Sequence, residues 1–185
     1  VGFVSAAVHA SISGKVVDVL PCIVANGTQV NAVVIDNDFQ DTWVELHPVA
    51  DPENLNAKEL ADLCREMGIV GMGGAAFPTQ VKLTVPAGKK VEHLIINGVE
   101  CEPYLTSDHR VMLERSEELL VGVTILMRAL GVSGASIGIE NNKPDAIARL
   151  SRLAPSYPGI RVVPLRVRYP QGGEKQLIAA VTGRE

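Results

Sequence analysis

The second part of the chain alternates short apolar runs with amphipathic segments, and this alternation limits the possible folds more than any other feature. Strand-type runs cover residues 93–97, 135–140 and 160–167, and helical patterns begin at Ser116, at Pro144 and after Gly173. Strands that alternate with helices of this length are joined by crossovers and form a largely parallel sheet. We therefore predict an α/β fold, a Rossmann-like parallel sheet with flanking helices, over residues 51–185.

The first 50 residues follow a different pattern. Two β-branched runs, at 15–20 and 30–35, are separated by Asn26-Gly27. Asn-Gly between apolar runs is the strongest short signal for a hairpin. Residues 42–46 are a third strand candidate. This pattern predicts a small all-β unit, a sandwich or half-barrel, over residues 1–50.

A helix is expected where the two patterns meet. Asn56 can cap its first turn, and Glu59 stands at the capping-box position. Gly68 then occupies the place where a glycine commonly ends a helix.

Composition excludes several classes of protein. The chain has 17 Lys and Arg against 21 Asp and Glu, a net charge of −4, so no basic surplus favours nucleic acid. The longest apolar run, 119–127, is too short to cross a bilayer. Cys22, Cys64 and Cys101 are too few and too scattered for a disulfide framework, a metal site or an iron–sulfur cluster. Because the sequence begins at Val1 rather than at methionine and stops at Glu185 without a tail, we expect it to be part of a longer protein.

Three loops at predicted strand or helix ends carry the candidate site residues, and the first is rich in glycine. It includes Gly71, Gly73 and Gly74, where the backbone can approach an anion closely because no Cβ intervenes. Lys82 follows as a point charge for a phosphate. The alternative is a flexible turn without a ligand.

The second loop follows the predicted strand 93–97 and is polar. Asn97 lies beside two carboxylates, Glu100 and Glu102, at a strand end where ligands bind in such sheets. In an extended backbone the two carboxylates share a face and repel each other. The alternative is a helix-capping turn that leads to Ser107-Asp108.

The third loop ends a strand and opens a helix. Gly172 and Gly173 at a helix N-terminus offer N–H groups and the positive end of the helix dipole to an anion. Glu174 in the first turn is also explained by ordinary dipole stabilisation.

Taken in order, the three motifs resemble the flavin-bearing subunit of respiratory complex I. These are G-x-G-G-A-x-F-P-T-x-x-K, I-N-x-x-E-x-E-P and G-G-E-K-Q-L. The forms G-V-E-C-E-P-Y, I-E-N-N-K-P and Y-P-Q-G-G-E-K-Q-L-I are closer to the C subunit of the Rnf electron-transport complex. Residues 2–14 also look like that subunit, in which they belong to a barrel-sandwich unit similar to lipoyl and biotinyl carriers.

The resemblance implies a role for each candidate residue. It assigns Gly71, Gly73, Gly74, Lys82, Asn97, Glu100, Gly173 and Glu174 to FMN, and Phe77 and Glu102 to the NADH pocket. Hydride passes directly from NADH to the flavin in that family, so no catalytic acid or base and no metal ligand is implied in this chain.

The resemblance also implies the setting of the whole protein. It is a peripheral subunit on the cytoplasmic face of the bacterial inner membrane, bound to the other subunits of an electron-transport complex. That complex moves electrons between NAD(H) and ferredoxin and couples the transfer to ion translocation. Two four-iron, four-sulfur clusters are expected in the full-length protein, outside this chain.

Two alternatives remain open. Met72, Val99 and Lys175 replace polar or acidic residues of the complex I pattern, which favours a structural or docking module with weak or no flavin binding. A third interpretation is the flavin subunit of a soluble NAD-linked hydrogenase or formate dehydrogenase.

Overall fold

The structure, a computed structural model, describes residues 2–72 and 75–184. In chain order the elements are β1 (Gly14–Ile23), β2 (Gln29–Asn37), a 3-10 turn (Pro52–Asn54), α1 (Ala57–Glu66), α2 (Thr79–Leu83), β3 (Leu94–Gly98), α3 (Ser107–Glu114), α4 (Ser116–Leu130), β4 (Ala135–Glu140), α5 (Pro144–Leu153), a 3-10 turn (Ala154–Ser156), β5 (Ile160–Leu165) and α6 (Glu174–Thr182).

A parallel sheet of three strands forms the centre of the second part. Its order is β3-β4-β5, and both pairs are parallel, which confirms the predicted α/β fold. All six residues of β4 are buried, as expected for a central strand covered on both faces. None of the helices in the described ranges is long and apolar enough to cross a membrane.

Helices cover the two faces of this sheet. On one face Leu120 of α4 and Leu150 of α5 pack with Ile137 of β4 in the larger apolar cluster. A smaller cluster joins Leu177 of α6 to Leu165 of β5 and to Val99. The neighbouring β5 residues 162 and 163 pack against different clusters, as the alternation of a strand requires.

The predicted hairpin is confirmed, and the predicted third strand is wrong. β1 and β2 are antiparallel, and in their turn the N–H of Gly27 donates to the carbonyl of Val24 at 2.8 Å. Residues 42–46 form no strand, and the side chain of Trp43 is 83% exposed. β-Branched residues favour a strand only where a neighbouring strand accepts their backbone hydrogen bonds, and β1 and β2 pair only with each other among the described residues.

The predicted capping box of α1 is present. The side chain of Asn56 accepts from the amide of Glu59, and the Glu59 carboxylate accepts from the amide of Asn56. Gly68 follows the end of the helix with φ of +69°, the left-handed conformation expected of a glycine there.

The start of the chain packs against the segment around the glycine-rich loop. The buried Gln80 of α2 donates through Nε2 to the carbonyls of Phe3 (2.9 Å) and Ser5 (2.7 Å). The amide of Ala7 donates to the carbonyl of Arg65 at the end of α1. The N-terminal segment therefore contacts the helices on both sides of the loop, through the Gln80 side chain and one backbone bond.

The core between α5 and the sheet gives a first prediction. Leu150 is fully buried, so Leu150→Ala should lower the free energy of unfolding by about 2–5 kcal/mol through lost burial and a cavity. Leu46→Ala, at a side chain that is 65% exposed, should change it by less than about 0.5 kcal/mol. Urea unfolding of both variants measures the difference. Equal losses would mean that Leu150 does not lie in the core.

A histidine at the amino edge of the sheet gives a second prediction. Nε2 of His93 lies 2.8 Å from Oγ of Ser136, which also accepts from Nε of Arg161 at 2.7 Å. Burial, and then the Arg161 guanidinium, lower the pKa of His93. The unfolded chain therefore takes up a proton at higher pH than the folded chain, so stability falls as the pH drops below the usual histidine pKa.

His93→Gln replaces the imidazole by an amide, which can still hydrogen-bond to Ser136 but does not titrate. We expect the unfolding free energy of this variant to decrease less from about pH 7.5 to about pH 5.5 than that of the parent chain. His47→Gln, at an exposed residue, is the control and should keep the parent slope. A slope unchanged in the His93 variant contradicts the prediction.

Candidate functional site

The carboxyl ends of β3, β4 and β5 lie at one edge of the sheet because the strands are parallel and adjacent. The turn after β3 carries the second predicted motif, and the turn before α6 carries the third. Ligands of open α/β sheets bind outside this edge. The topology therefore brings two of the three predicted motifs to the place where a ligand is expected.

Asn97 ties these two motifs together. Its Nδ2 donates to the carbonyl of Gly172 at 2.9 Å, and its Oδ1 accepts from the amide of Val99 at 3.1 Å. A Cβ on Gly172 would lie 2.9 Å from the carbonyl oxygen of Val99, so only glycine permits this approach. We call residues 97–102 and 170–174 the joined turns.

Glu100 points into the protein. Its Oε1 accepts from the amide of Asp108 at 2.9 Å, and both the amide of His109 and the hydroxyl of Ser107 lie 3.4 Å from the carboxylate. These groups belong to the first turn of α3, so Glu100 supplies the negative charge at this helix N-terminus. The helix-capping turn expected as the alternative is thus present, and a contact of Glu100 with a flavin stays a prediction.

A buried lysine faces the same carboxylate. Nζ of Lys143 lies 3.7 Å from Oε2 of Glu100 and 3.3 Å from its backbone oxygen. Burial raises the pKa of Asp108, the Glu100 charge raises it further, and the Lys143 ammonium lowers it. The prediction that Glu100 and Glu102 share a face and repel each other is wrong. Glu102 is exposed, whereas Glu100 is buried.

Glu140 completes the charges at this edge. It is the last residue of β4, is 1% exposed, and accepts from the amide of Arg168 at 3.3 Å. We call Glu100, Asp108, Glu140 and Lys143 the acid–lysine cluster. The sequence predictions did not include Glu140 and Lys143 among the site residues, although both stand in the I-E-N-N-K-P motif at the end of an apolar strand.

The glycine-rich loop lies beside α2. The N–H of Gly71 donates to the carbonyl of Phe77 at 2.8 Å, so this amide is not free for an anion. A Cβ built on Gly71 would lie 3.8 Å from Nζ of Lys82, which places the ammonium next to the glycine backbone. Phe77 is 40% exposed. Gly73 and Gly74 lie outside the described residues.

The glycine-rich loop is less directly connected to the other two motifs than these two are to each other. Within residues 2–72 and 75–184, no hydrogen bond or ion pair joins the glycine-rich loop to the joined turns. In the third motif the N–H of Gly173 donates to the carbonyl of Pro170 at 2.9 Å, and Glu174 is exposed at the start of α6. Among the residues that the structure describes, no side chain caps the N-terminus of α6, so its first-turn amides have no side-chain acceptor.

Comparison with known families agrees with this arrangement. Residues 64–185 match the Nuo51 FMN-binding domain. The chain belongs to this family. Residues 1–40 match the RnfC barrel sandwich hybrid domain, which supports the predicted N-terminal unit.

Similar proteins carry the name predicted from the motifs. The chain is 46% identical to the C subunit of the Na(+)-translocating ferredoxin:NAD(+) oxidoreductase complex of Acetobacterium woodii and spans 42% of that protein. It is 48% identical to the C subunit of the proton-translocating complex of Clostridium ljungdahlii, of which it spans 40%. It is 44% identical to the C subunit of the ion-translocating oxidoreductase complex of Pseudomonas aeruginosa, of which it spans 24%. The resemblance to the Rnf C subunit is therefore confirmed, and the chain spans less than half of each relative.

Among solved structures the fold recurs in an NAD+-reducing [NiFe]-hydrogenase. The air-oxidised form matches with a TM-score of 0.58 at 25% identity, over 70% of this chain and 24% of that one. The H2-reduced form matches with a TM-score of 0.59 at 22% identity, over 75% of this chain and 26% of that one, and shows likeness of fold alone.

The tie between the joined turns gives a third prediction. Asn97→Asp replaces the donor to Gly172 by a carboxylate oxygen that repels the carbonyl. We expect a loss of about 1 kcal/mol in the free energy of unfolding. Asn31→Asp makes the same charge change at an exposed residue of β2 and should leave stability nearly unchanged. Urea unfolding compares the two, and equal losses would show that the tie contributes nothing.

Proposed function

We propose that the chain is the FMN-holding and NADH-binding part of an Rnf-type C subunit. In this function the protein belongs to a complex that transfers electrons between NAD(H) and ferredoxin. Relatives at 46–48% identity are named as subunits of ferredoxin:NAD(+) oxidoreductase complexes, whereas the solved hydrogenase structure is 25% identical to this chain. This difference favours the Rnf assignment over the soluble hydrogenase alternative.

The observation that carries the proposal is the pair of joined turns at the carboxyl edge of the sheet. Asn97 and Gly172 hold two glycine-bearing turns in contact at the place where open α/β sheets bind ligands. The uncapped N-terminus of α6 lies in the second of these turns and favours negative charge. The first-turn amides of α6 and the positive end of its dipole suit an anionic cofactor.

The glycine-rich loop fits the phosphate end of FMN. Nothing in the fold requires glycine at position 71, because a Cβ there would meet its neighbours at 3.7–3.8 Å, which is ordinary contact. A Cβ would therefore fit beside the Lys82 ammonium without a clash. A glycine backbone next to a lysine suits a phosphate, which needs close approach and positive charge.

The proposed roles of the residues are binding and orientation. FMN, when bound, supplies the redox chemistry by accepting a hydride and releasing electrons singly. Eight residues would hold FMN: Gly71, Gly73, Gly74, Lys82, Asn97, Glu100, Gly173 and Glu174. Phe77, which is 40% exposed, and Glu102, which is also exposed, would bind NADH, with the Phe77 ring available to stack on the adenine.

The rest of the electron path lies outside this chain in the proposal. Two four-iron, four-sulfur clusters of the full-length protein carry electrons onward, and the other subunits couple the transfer to ion movement. The protein is peripheral, on the cytoplasmic face of the membrane.

A second candidate is a docking module of the same complex with weak flavin binding. It is favoured by the internal use of the polar groups: the Gly71 amide binds Phe77, the Gly173 amide binds Pro170, and the Glu100 carboxylate binds α3. Flavin titration separates the two candidates.

The fourth prediction tests the phosphate role of Lys82 by titrating the full chain with FMN and following flavin fluorescence. We expect Lys82→Met to raise the FMN dissociation constant roughly 10- to 100-fold, because it removes a charge-assisted hydrogen bond worth about 1.5–3 kcal/mol. Riboflavin, which lacks the phosphate, should bind the parent chain and the variant with similar affinity.

Lys89→Met is the matched control, since Lys89 is exposed and lies outside the glycine-rich loop. It should leave FMN binding unchanged. If Lys82→Met weakens riboflavin as much as FMN, Lys82 does not act on the phosphate. If the parent chain binds neither flavin, the docking-module function is the correct one.

A further inference from the structure

Lys143 is a buried cation that none of the proposed flavin contacts includes. It follows β4 closely, at the start of α5, and its side chain is only 9% exposed. Among the residues that the structure describes, it is the one buried Lys or Arg. A buried ammonium is costly unless acidic or carbonyl oxygens surround it, so its partners indicate its role.

Its partners belong mainly to one residue of the joined turns. Nζ lies 3.3 Å from the backbone oxygen of Glu100 and 3.7 Å from its carboxylate, whose side chain is 2% exposed. The lysine therefore contacts both the backbone and the side chain of the same residue. Such a double contact fixes the position of the turn after β3, as well as the direction of the carboxylate.

The Lys143 ammonium offsets negative charge in the acid–lysine cluster. Glu100 and Asp108 face it from the turn after β3 and from α3, and Glu140 ends the strand from which its own loop begins. The amide of Lys143 donates to the carbonyl of Glu140 at 3.1 Å. His109 of α3 binds Asp145 of α5 at 2.8 Å, so this neighbouring pair is satisfied separately.

We propose that Lys143 is a positioning residue of the flavin site, acting through Glu100. It holds the Glu100 carboxylate against the first turn of α3 and thereby sets the Asn97–Glu102 turn on which the flavin rests. The consequence for FMN depends on the proposed function. The contact between Lys143 and Glu100 is a property of the folded chain without FMN.

The first experiment measures the chain without flavin. The titration of the Asp108 side chain is followed by NMR in the parent, Lys143→Met and Lys143→Arg. Because the Lys143 ammonium lowers the pKa of Asp108, Lys143→Met should raise the pKa of Asp108. Lys143→Arg should return this pKa to the parent value. Lys58→Met, at a side chain that is 85% exposed on α1, should leave it unchanged.

The second experiment measures FMN affinity of the same variants. We expect Lys143→Met to raise the FMN dissociation constant about tenfold and Lys143→Arg to recover most of the loss, because an uncompensated buried carboxylate displaces its turn. Lys58→Met should bind like the parent. If the parent binds no FMN, the proposed function fails, while the Asp108 titration still decides whether Lys143 acts on the cluster.

A double-variant cycle covers the case in which Lys143→Met folds poorly. If the lysine acts through Glu100, adding Lys143→Met to Glu100→Gln should cost much less stability and FMN affinity than adding it to the parent, because position 100 then carries no charge that Lys143 has to offset. Equal effects in both backgrounds, or an Asp108 titration that Lys143→Met does not change, would overturn the proposal.

Discussion

The burial of β4 between two parallel neighbours is the constraint on which the candidate site depends. Every residue of this strand is buried, so its register with β3 and β5 cannot slip by one residue without placing a side chain on the wrong face. The fixed register brings the ends of the three strands to one edge. The turns that follow them then meet, and one amide, that of Asn97, is sufficient to join two of them.

The same burial places negative charges inside the protein at the carboxyl edge of the sheet, and these charges need compensating partners. β4 ends in a carboxylate, and the turn after β3 carries another that lies inside the protein. Helix α3 offsets one of these charges with its N-terminal amides, and Lys143 offsets it from the opposite side. The contacts of Glu100 therefore link the turn after β3 to the first turn of α3 and to Lys143 at the start of α5.

The parts of the fold that local patterns determine could be predicted from the sequence. The bounds of β4 and the capping box at Glu59 depend on neighbouring residues, and both were predicted correctly. The sequence indicated α3 only through the alternative interpretation of the second loop as a helix-capping turn, because the capping residue, Glu100, lies eight residues before Asp108. Lys143 was missed because its partner is 43 residues away. Residues 42–46 have strand propensity, but no neighbouring strand pairs with them in the described part of the chain.

The glycine-rich loop is supported by a different part of the chain from the joined turns. Gln80, which is buried, attaches α2 to the N-terminal segment through the carbonyls of Phe3 and Ser5, while the joined turns are attached to the sheet. A ligand that contacts both must be held by two supports that share no hydrogen bond among the described residues. Binding FMN would then connect the N-terminal segment and α2 to the joined turns. In this arrangement the N-terminal segment contributes to the cofactor site although it supplies none of the proposed contacts, because it fixes the helix that carries Lys82.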